Sequence, residues 1–220
     1  MASMIGQEVR EGATHVDGPD APGTIVAIGL SADGLGAIRT VLGGLPTGVD
    51  ASVVVVLHRS PDQSRLAKVI ARRCALPVTE ARSMDILERG HVYVAPPDAH
   101  LLVVDGRLRL AHTEKVSFAR PSIDVLFRSV AQVYGARAIG VILSGAGADG
   151  ARGLQAIRAA GGTTIVQDPK EARWGRLPRE ALAADGIDFT VPIAEFAPTI
   201  LAVLSKSDPA PIPDAGTESP

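Results

Sequence analysis

The sequence predicts a doubly wound α/β fold, a mostly parallel sheet with helices on both faces and a local antiparallel hairpin. Three observations predict it. Short continuous apolar runs such as Thr24–Gly29, Ala51–Leu57 and Ala138–Leu143 read as strands buried on both faces. Segments with helical apolar spacing alternate with those runs, the order of a parallel sheet. Asp105-Gly106 separates two short apolar segments, which is a strong hairpin signal.

Taken in order, Thr24–Gly29 is the first strand, followed by a Gly-rich turn and a helix from about Gly34 to Leu42. Ala51–Leu57, with four consecutive valines, is the second strand. The next helix has start signals: Ser60 as N-cap, Pro61 at the first helical position and Gln63 completing a capping box. Val78–Ala81 and His91–Ala95 read as strands, and Leu101–Val104 and Arg107–Ala111 flank the hairpin turn. Ser122 caps a helix whose inner face is Ile123, Leu126, Phe127, Val130 and Tyr134. Strand Ala138–Leu143 leads through the loop Ser144–Gly150 to a helix ending near Ala160. Thr163–Val166 and Ile187–Val191 are the last strands, and a helix from about Ala194 to Leu204 closes the fold. The expected domain spans residues 23–204, with polar tails at 1–22 and 205–220 whose composition predicts disorder.

Composition narrows the function classes. The 220 residues suit one α/β domain, or at most two small ones. A net charge of −2 and 3% aromatic residues argue against a nucleic-acid partner. No apolar run is long enough to span a bilayer, so no direct membrane insertion is expected. The single cysteine, Cys74, allows no intrachain disulfide and reads as a small core or boundary residue. With no signal-peptide pattern at the N-terminus, the expected location is cytoplasmic.

In open α/β sheets, ligands bind beyond the carboxyl ends of the strands. Ser31 follows the first strand, His58 the second, and Asp149 lies in the loop after Ala138–Leu143. If these strands are neighbours, a nucleophile, a base and an orienting carboxylate converge on one sheet edge, the set a serine hydrolase needs. The Ser31 turn runs into a helix, so N–H groups and the positive end of the helix dipole lie beside the hydroxyl. Each residue also has a purely structural alternative: Ser31 as a helix-start residue, His58 as a half-buried strand-end histidine, Asp149 as the N-cap of the helix beginning near Ala151. A dinucleotide-binding oxidoreductase fits less well. Gly29-x-Ser31-x-x-Gly34 lacks the central glycine, and His58 stands where an acidic residue would hold the ribose. The five scattered histidines give no metal-binding spacing.

At these residues the sequence resembles the catalytic domain of the chemotaxis protein-glutamate methylesterases, the CheB type. The matching stretches include Ile28-Gly29-Leu30-Ser31, Val54-Val55-Val56-Leu57-His58 and Gly90-His91-Val92-Tyr93-Val94-Ala95-Pro96. Others are Arg120-Pro121-Ser122-Ile123-Asp124-Val125-Leu126-Phe127, Leu143–Gly150 and Thr164-Ile165-Val166-Gln167-Asp168. The resemblance implies Ser31 as nucleophile, His58 as general base and Asp149 as its orienting residue, with Ala32, Asp33 and Ala146 on the oxyanion side and rim of the site. It implies hydrolysis of γ-glutamyl methyl esters on chemoreceptor cytoplasmic helices, deamidation of receptor glutamines in some members, and no cofactor or metal. The expected partners are methylated chemoreceptor helices, with a separate response regulator as a further candidate, because the 22-residue N-terminal tail is too short for the receiver domain many members carry.

The sequence departs from the family pattern at three places. The nucleophile turn of the family usually continues with two glycines, and here Asp33 and Gly34 stand in those places. Ala146 replaces a common Met, and Arg176-Leu177-Pro178 stands where Gly-Met-Pro is usual, so a changed cleft rim is expected. The receiver domain is the third. The alternative reading, supported mainly by Asp33, is a catalytically degenerate CheB-like binding module in a signalling pathway.

Overall fold

A computed structural model describes residues 23–31, 34–58, 66–184 and 186–207. In chain order the elements are β1 (Ile25–Ser31), α1 (Leu35–Gly43), β2 (Ser52–His58), α2 (Leu66–Ala71), β3 (Val78–Glu80), β4 (Val92–Val94), β5 (His100–Val104) and β6 (Arg107–Ala111). They continue with α3 (Ile123–Tyr134), β7 (Ala138–Ile142), α4 (Ala151–Ala159), β8 (Thr163–Gln167), α5 (Arg176–Leu182), β9 (Phe189–Val191) and α6 (Phe196–Ser207). Seven strands form one parallel sheet in the order β3-β4-β2-β1-β7-β8-β9. The doubly wound α/β architecture read from the sequence is therefore the observed one. The chain winds outward from β1 to β3, then returns to lay β7 on the other side of β1, which puts the switch in strand order at β1.

Alternation along the strands builds two cores. Ile25 and Ala27 of β1, with Val54 and Val56 of β2, pack with Phe127 and Val130 of α3, Leu154 of α4 and Leu177 of α5. Val26, Ile28, Val53 and Val55 face the other way, onto Ile38 of α1, Ile70 of α2 and Ile200 of α6. A strand buried on both faces has no polar face, which is why β1 and β2 read as unbroken apolar runs.

Several elements differ from the expectation. The hairpin β5–β6 forms as read, with Asp105 and Gly106 both at positive φ (48° and 70°). It does not join the main sheet but forms a separate two-stranded sheet. Its Leu101, Val103 and Leu108 pack in the α3 core, and the Ser129 hydroxyl accepts from the Val103 N–H at 3.0 Å. Strand β1 runs two residues beyond Gly29, because Leu30 and Ser31 pair in register with Leu57 and His58. Helix α5 was not expected. The start signals at Ser60, Pro61 and Gln63 lie outside the described residues. Cys74 is half-buried, and burial pushes its thiol up, in keeping with a boundary position.

Candidate active site

Ser31 and His58 are the last residues of β1 and β2 and are partners in the parallel register. Neighbouring strands lie about 4.8 Å apart. Side chains alternate along a strand, so Ser31 falls on the face of Ile25 and Ala27, and His58 on the face of Val54 and Val56. That is the α3 face for both. The hydroxyl and the imidazole therefore stand side by side at the carboxyl end of the sheet.

The third residue arrives from the far side of the switch. The Leu143 N–H donates to Gly29 O at 3.0 Å and the Ser31 N–H to Ser144 O at 3.3 Å, so the loop after β7 continues along β1. The Ser31 N–H is thereby engaged. Ser144 N–H donates to the Gln167 side-chain oxygen at 2.8 Å, Gly145 N–H to Trp174 O at 2.8 Å, and Leu177 N–H to Gly145 O at 2.8 Å. The Gly145 N–H is thereby taken, and the next residue, Ala146, is exposed. Any Cβ at Gly145 would come within 2.7 Å of Leu177 Cδ2 and 3.3 Å of Ser31 Cβ, so only glycine lets this loop lie between them.

Asp149 is 2% exposed and accepts from His58 Nε2 at 2.8 Å through Oδ2. The same oxygen accepts from the Ile123 N–H at 2.6 Å. Its Oδ1 accepts from the Ser122 hydroxyl at 2.8 Å and the Asp124 N–H at 3.1 Å. This carboxylate sits at the N-terminus of α3, where unpaired N–H groups and the helix dipole favour an anion. Burial pushes the Asp149 carboxyl up, but the His58 hydrogen bond and charge, with the Asp124 and Ile123 N–H groups, outweigh it and hold the carboxyl below its usual range. An ionised Asp149 fixes the proton of His58 on Nε2 and leaves Nδ1 as the basic nitrogen.

Asp149 does not cap its own helix. The N-cap of α4 is Gly150, at φ 115°. The donors at this end of α4 are served by Asp124, whose Oδ1 accepts from the Gly150 N–H at 3.0 Å and the Gly153 N–H at 2.7 Å. Burial, then the charge of Asp149, push the Asp124 carboxyl up. Beyond Ser122 lies His100, fully buried. Its Nδ1 accepts from the Ser122 N–H at 3.2 Å and its Nε2 donates to Glu114 O at 3.0 Å, which sets one neutral tautomer. Burial, with Arg120 adding to it, pushes the His100 pKa down. Asp124 and His100 were not singled out in the sequence, and Ser122 only as a helix cap. Asp124 in the first turn of a helix capped by Ser122 was the available signal.

Glycine lets α3 reach this position. A Cβ on Gly29 would lie 2.4 Å from Ile123 Cγ2, so the start of α3 rests directly on the β1 backbone. Outside His58 the site opens into a cleft of about 300 Å³, lined by Asp98, Lys115, Ser117, Phe118 and Arg120 among others. Ala32 and Asp33 lie outside the described residues. Of the expected rim residues Arg176-Leu177-Pro178, only Arg176 is exposed. Leu177 and Pro178 are buried at the start of α5, and Leu177 supports the Gly145 loop from beneath.

The model of the CheB methylesterase family matches residues 26–200. The chain belongs to this family. A CheB methylesterase catalytic domain of Thermotoga maritima, solved by crystallography, superposes with a TM-score of 0.78 at 28% identity, covering 84% of this chain and 98% of that one. A Leptospira interrogans protein is 38% identical over 174 residues, covering 78% of this chain and 90% of its own length. The protein-glutamate methylesterase/protein-glutamine glutaminase of Sulfurimonas denitrificans is 38% identical over 187 residues, 83% of this chain. The CheB-type chain spans 53% of that relative's length, and 55% of a similarly named Myxococcus xanthus protein. Among the described residues, no helix is long and apolar enough to cross a membrane.

Proposed function

We propose that this chain hydrolyses γ-glutamyl methyl esters on the cytoplasmic helices of chemoreceptor-type proteins, releasing methanol. Ser31 attacks the ester carbonyl and passes its proton to His58 Nδ1. The tetrahedral intermediate collapses as His58 returns that proton to the departing methanol. Water, deprotonated by His58, then attacks the acyl-serine, and the glutamate carboxylate is released. Asp149 holds the imidazole orientation and stabilises its protonated form. The same steps on a glutamine amide release ammonia.

The observation that carries this reading is the 2.8 Å bond from His58 Nε2 to the buried Asp149, with His58 paired beside Ser31 at the strand ends. The relatives named protein-glutamate methylesterase/protein-glutamine glutaminase support the choice of ester. No described residue favours the binding-module alternative; Asp33, its main support, lies outside the described residues.

Methanol release from an in vitro methylated chemoreceptor fragment tests the reading. Ser31→Ala should lower the rate by a factor on the order of 10³ or more. Equal rates for wild type and Ser31→Ala would remove Ser31 from the reaction.

A further inference from the structure

The chain is poor in aromatic residues, with four phenylalanines and one tryptophan. Phe127 and Phe196 are core residues, yet Phe118 is 99% exposed and Trp174 is 47% exposed. Along the sheet edge the two residues flank Ser31, Phe118 by the cleft that contains His58 and Trp174 by its backbone contacts with the loop after β7. Phe118 lines the cleft that contains His58, on the β2 side of β1. Trp174 is held against the loop after β7, on the other side of β1. Its carbonyl accepts from the Gly145 N–H, and its own N–H donates to the Ser144 hydroxyl at 3.0 Å.

Hydrogen bonds fix the backbone at both aromatics. Phe118 is at the tip of a two-residue turn closed by paired bonds, Val116 N–H to Ala119 O at 3.1 Å and Ala119 N–H to Val116 O at 2.9 Å. Ser117 and Phe118 both have positive φ, 52° and 62°. A bulky residue in that region is strained, and a Phe fully in water gains nothing from it. An exposed aromatic with few rotamers, carried on a hydrogen-bonded turn, is what a docking surface uses. Lys115 and Arg120 line the same cleft, and Asp98, the acidic residue there, accepts from Arg120 at 2.6 Å. The cleft therefore favours an acidic visitor with apolar side chains.

We infer that Phe118 and Trp174 form a two-sided clamp that seats an amphipathic, acidic helix of the substrate protein across Ser31. This rests on the proposed ester hydrolysis. Apolar residues three or four positions on either side of the modified glutamate share its helix face, so they reach the two aromatics while the ester points at the hydroxyl. Neighbouring acidic residues meet Lys115.

The experiment uses the full chain carrying Ser31→Ala and a methylated helical chemoreceptor fragment. Trp174 is the only tryptophan, so its emission reads the contact directly. Binding should shift the emission to the blue and shield it from acrylamide. Phe118→Ser should weaken binding on the order of tenfold. In the active chain, Phe118→Ser should lower kcat/KM on the helix about tenfold more than on p-nitrophenyl acetate, a small ester that cannot span the clamp. Unchanged Trp174 emission at saturating fragment, or equal losses on the two substrates, would overturn the clamp. Phe118-dependent binding by a chain that releases no methanol would keep the clamp and remove the hydrolase reading.

Discussion

Asp149 and Asp124 each cap the helix that the other belongs to or adjoins. The Asp149 carboxylate takes the Ile123 and Asp124 N–H groups at the start of α3, and the Asp124 carboxylate takes the Gly150 and Gly153 N–H groups at the start of α4. Two acids of like charge are thus held close in the interior, each stabilised by a helix terminus. Their chemistry differs because Asp149 also holds His58.

The acceptor pattern predicts different tolerance to the amide. Both oxygens of Asp149 accept, so Asp149→Asn must turn an NH₂ toward either His58 or the α3 terminus. Methanol release should fall by a factor on the order of 10³ to 10⁴, with the far-ultraviolet circular dichroism spectrum retained.

At Asp124 a single oxygen, Oδ1, accepts from both Gly150 and Gly153. Asn supplies that oxygen without the charge. Asp124→Asn should cost less than about 1 kcal/mol, whereas Asp124→Ala should cost about 2 kcal/mol, since two buried donors lose their acceptor. Urea midpoints of the two variants at neutral pH measure the difference, and equal losses would mean that Asp124 acts through its charge instead.

His100 predicts a pH dependence of stability. Its folded pKa lies below the ordinary value of 6.5, because burial and Arg120 oppose the charged form. In the window below about pH 6.5 the unfolded chain therefore binds the proton more readily than the folded one, and stability falls as pH falls. Between about pH 7.5 and about pH 5.5, wild type should lose more unfolding free energy than His100→Gln, which does not titrate. The same slope in both proteins would assign the loss elsewhere.

Gly29→Ala should damage fold and site together. The new methyl meets Ile123 Cγ2 and pushes the start of α3, with its Asp149 contacts, off the sheet. The expected loss is about 1–3 kcal/mol, accompanied by lower turnover. Adding Ile123→Ala removes the clashing atoms, so the double variant should be more stable than the sum of the single effects predicts.

Local signals in the sequence account for much of this architecture. β1 and β2 were legible because a strand buried on both faces has no polar alternation to hide it, and α3 was legible from Ser122 and its apolar face. Helix α5 was not. Its seven residues are too few for a periodic pattern, although Pro178 in its first turn and the Leu177–Ala181 spacing were present. The positions of Ser31 and His58 at the ends of neighbouring strands could be read, but both residues belong to the strands themselves. His58 as a partner of Asp149 could be read, but its partners at the start of α3, Ser122, Ile123 and Asp124, could not. They depend on how closely α3 approaches β1, which is set by the absence of a side chain at Gly29, and a helix-start aspartate looks the same whether it caps its own helix or another.

The His58–Asp149 bond joins residues 91 positions apart, across strands that lie on opposite sides of β1. Neither partner is near the other until β2, β7 and the start of α3 are all in place around β1. Long-range closure of this kind comes late in folding, since much chain must be ordered before any contact is made. Hydrolysis should therefore be among the last properties to return on refolding, lagging behind the recovery of helix content, and a chain that is active is a chain whose central strands have assembled around β1.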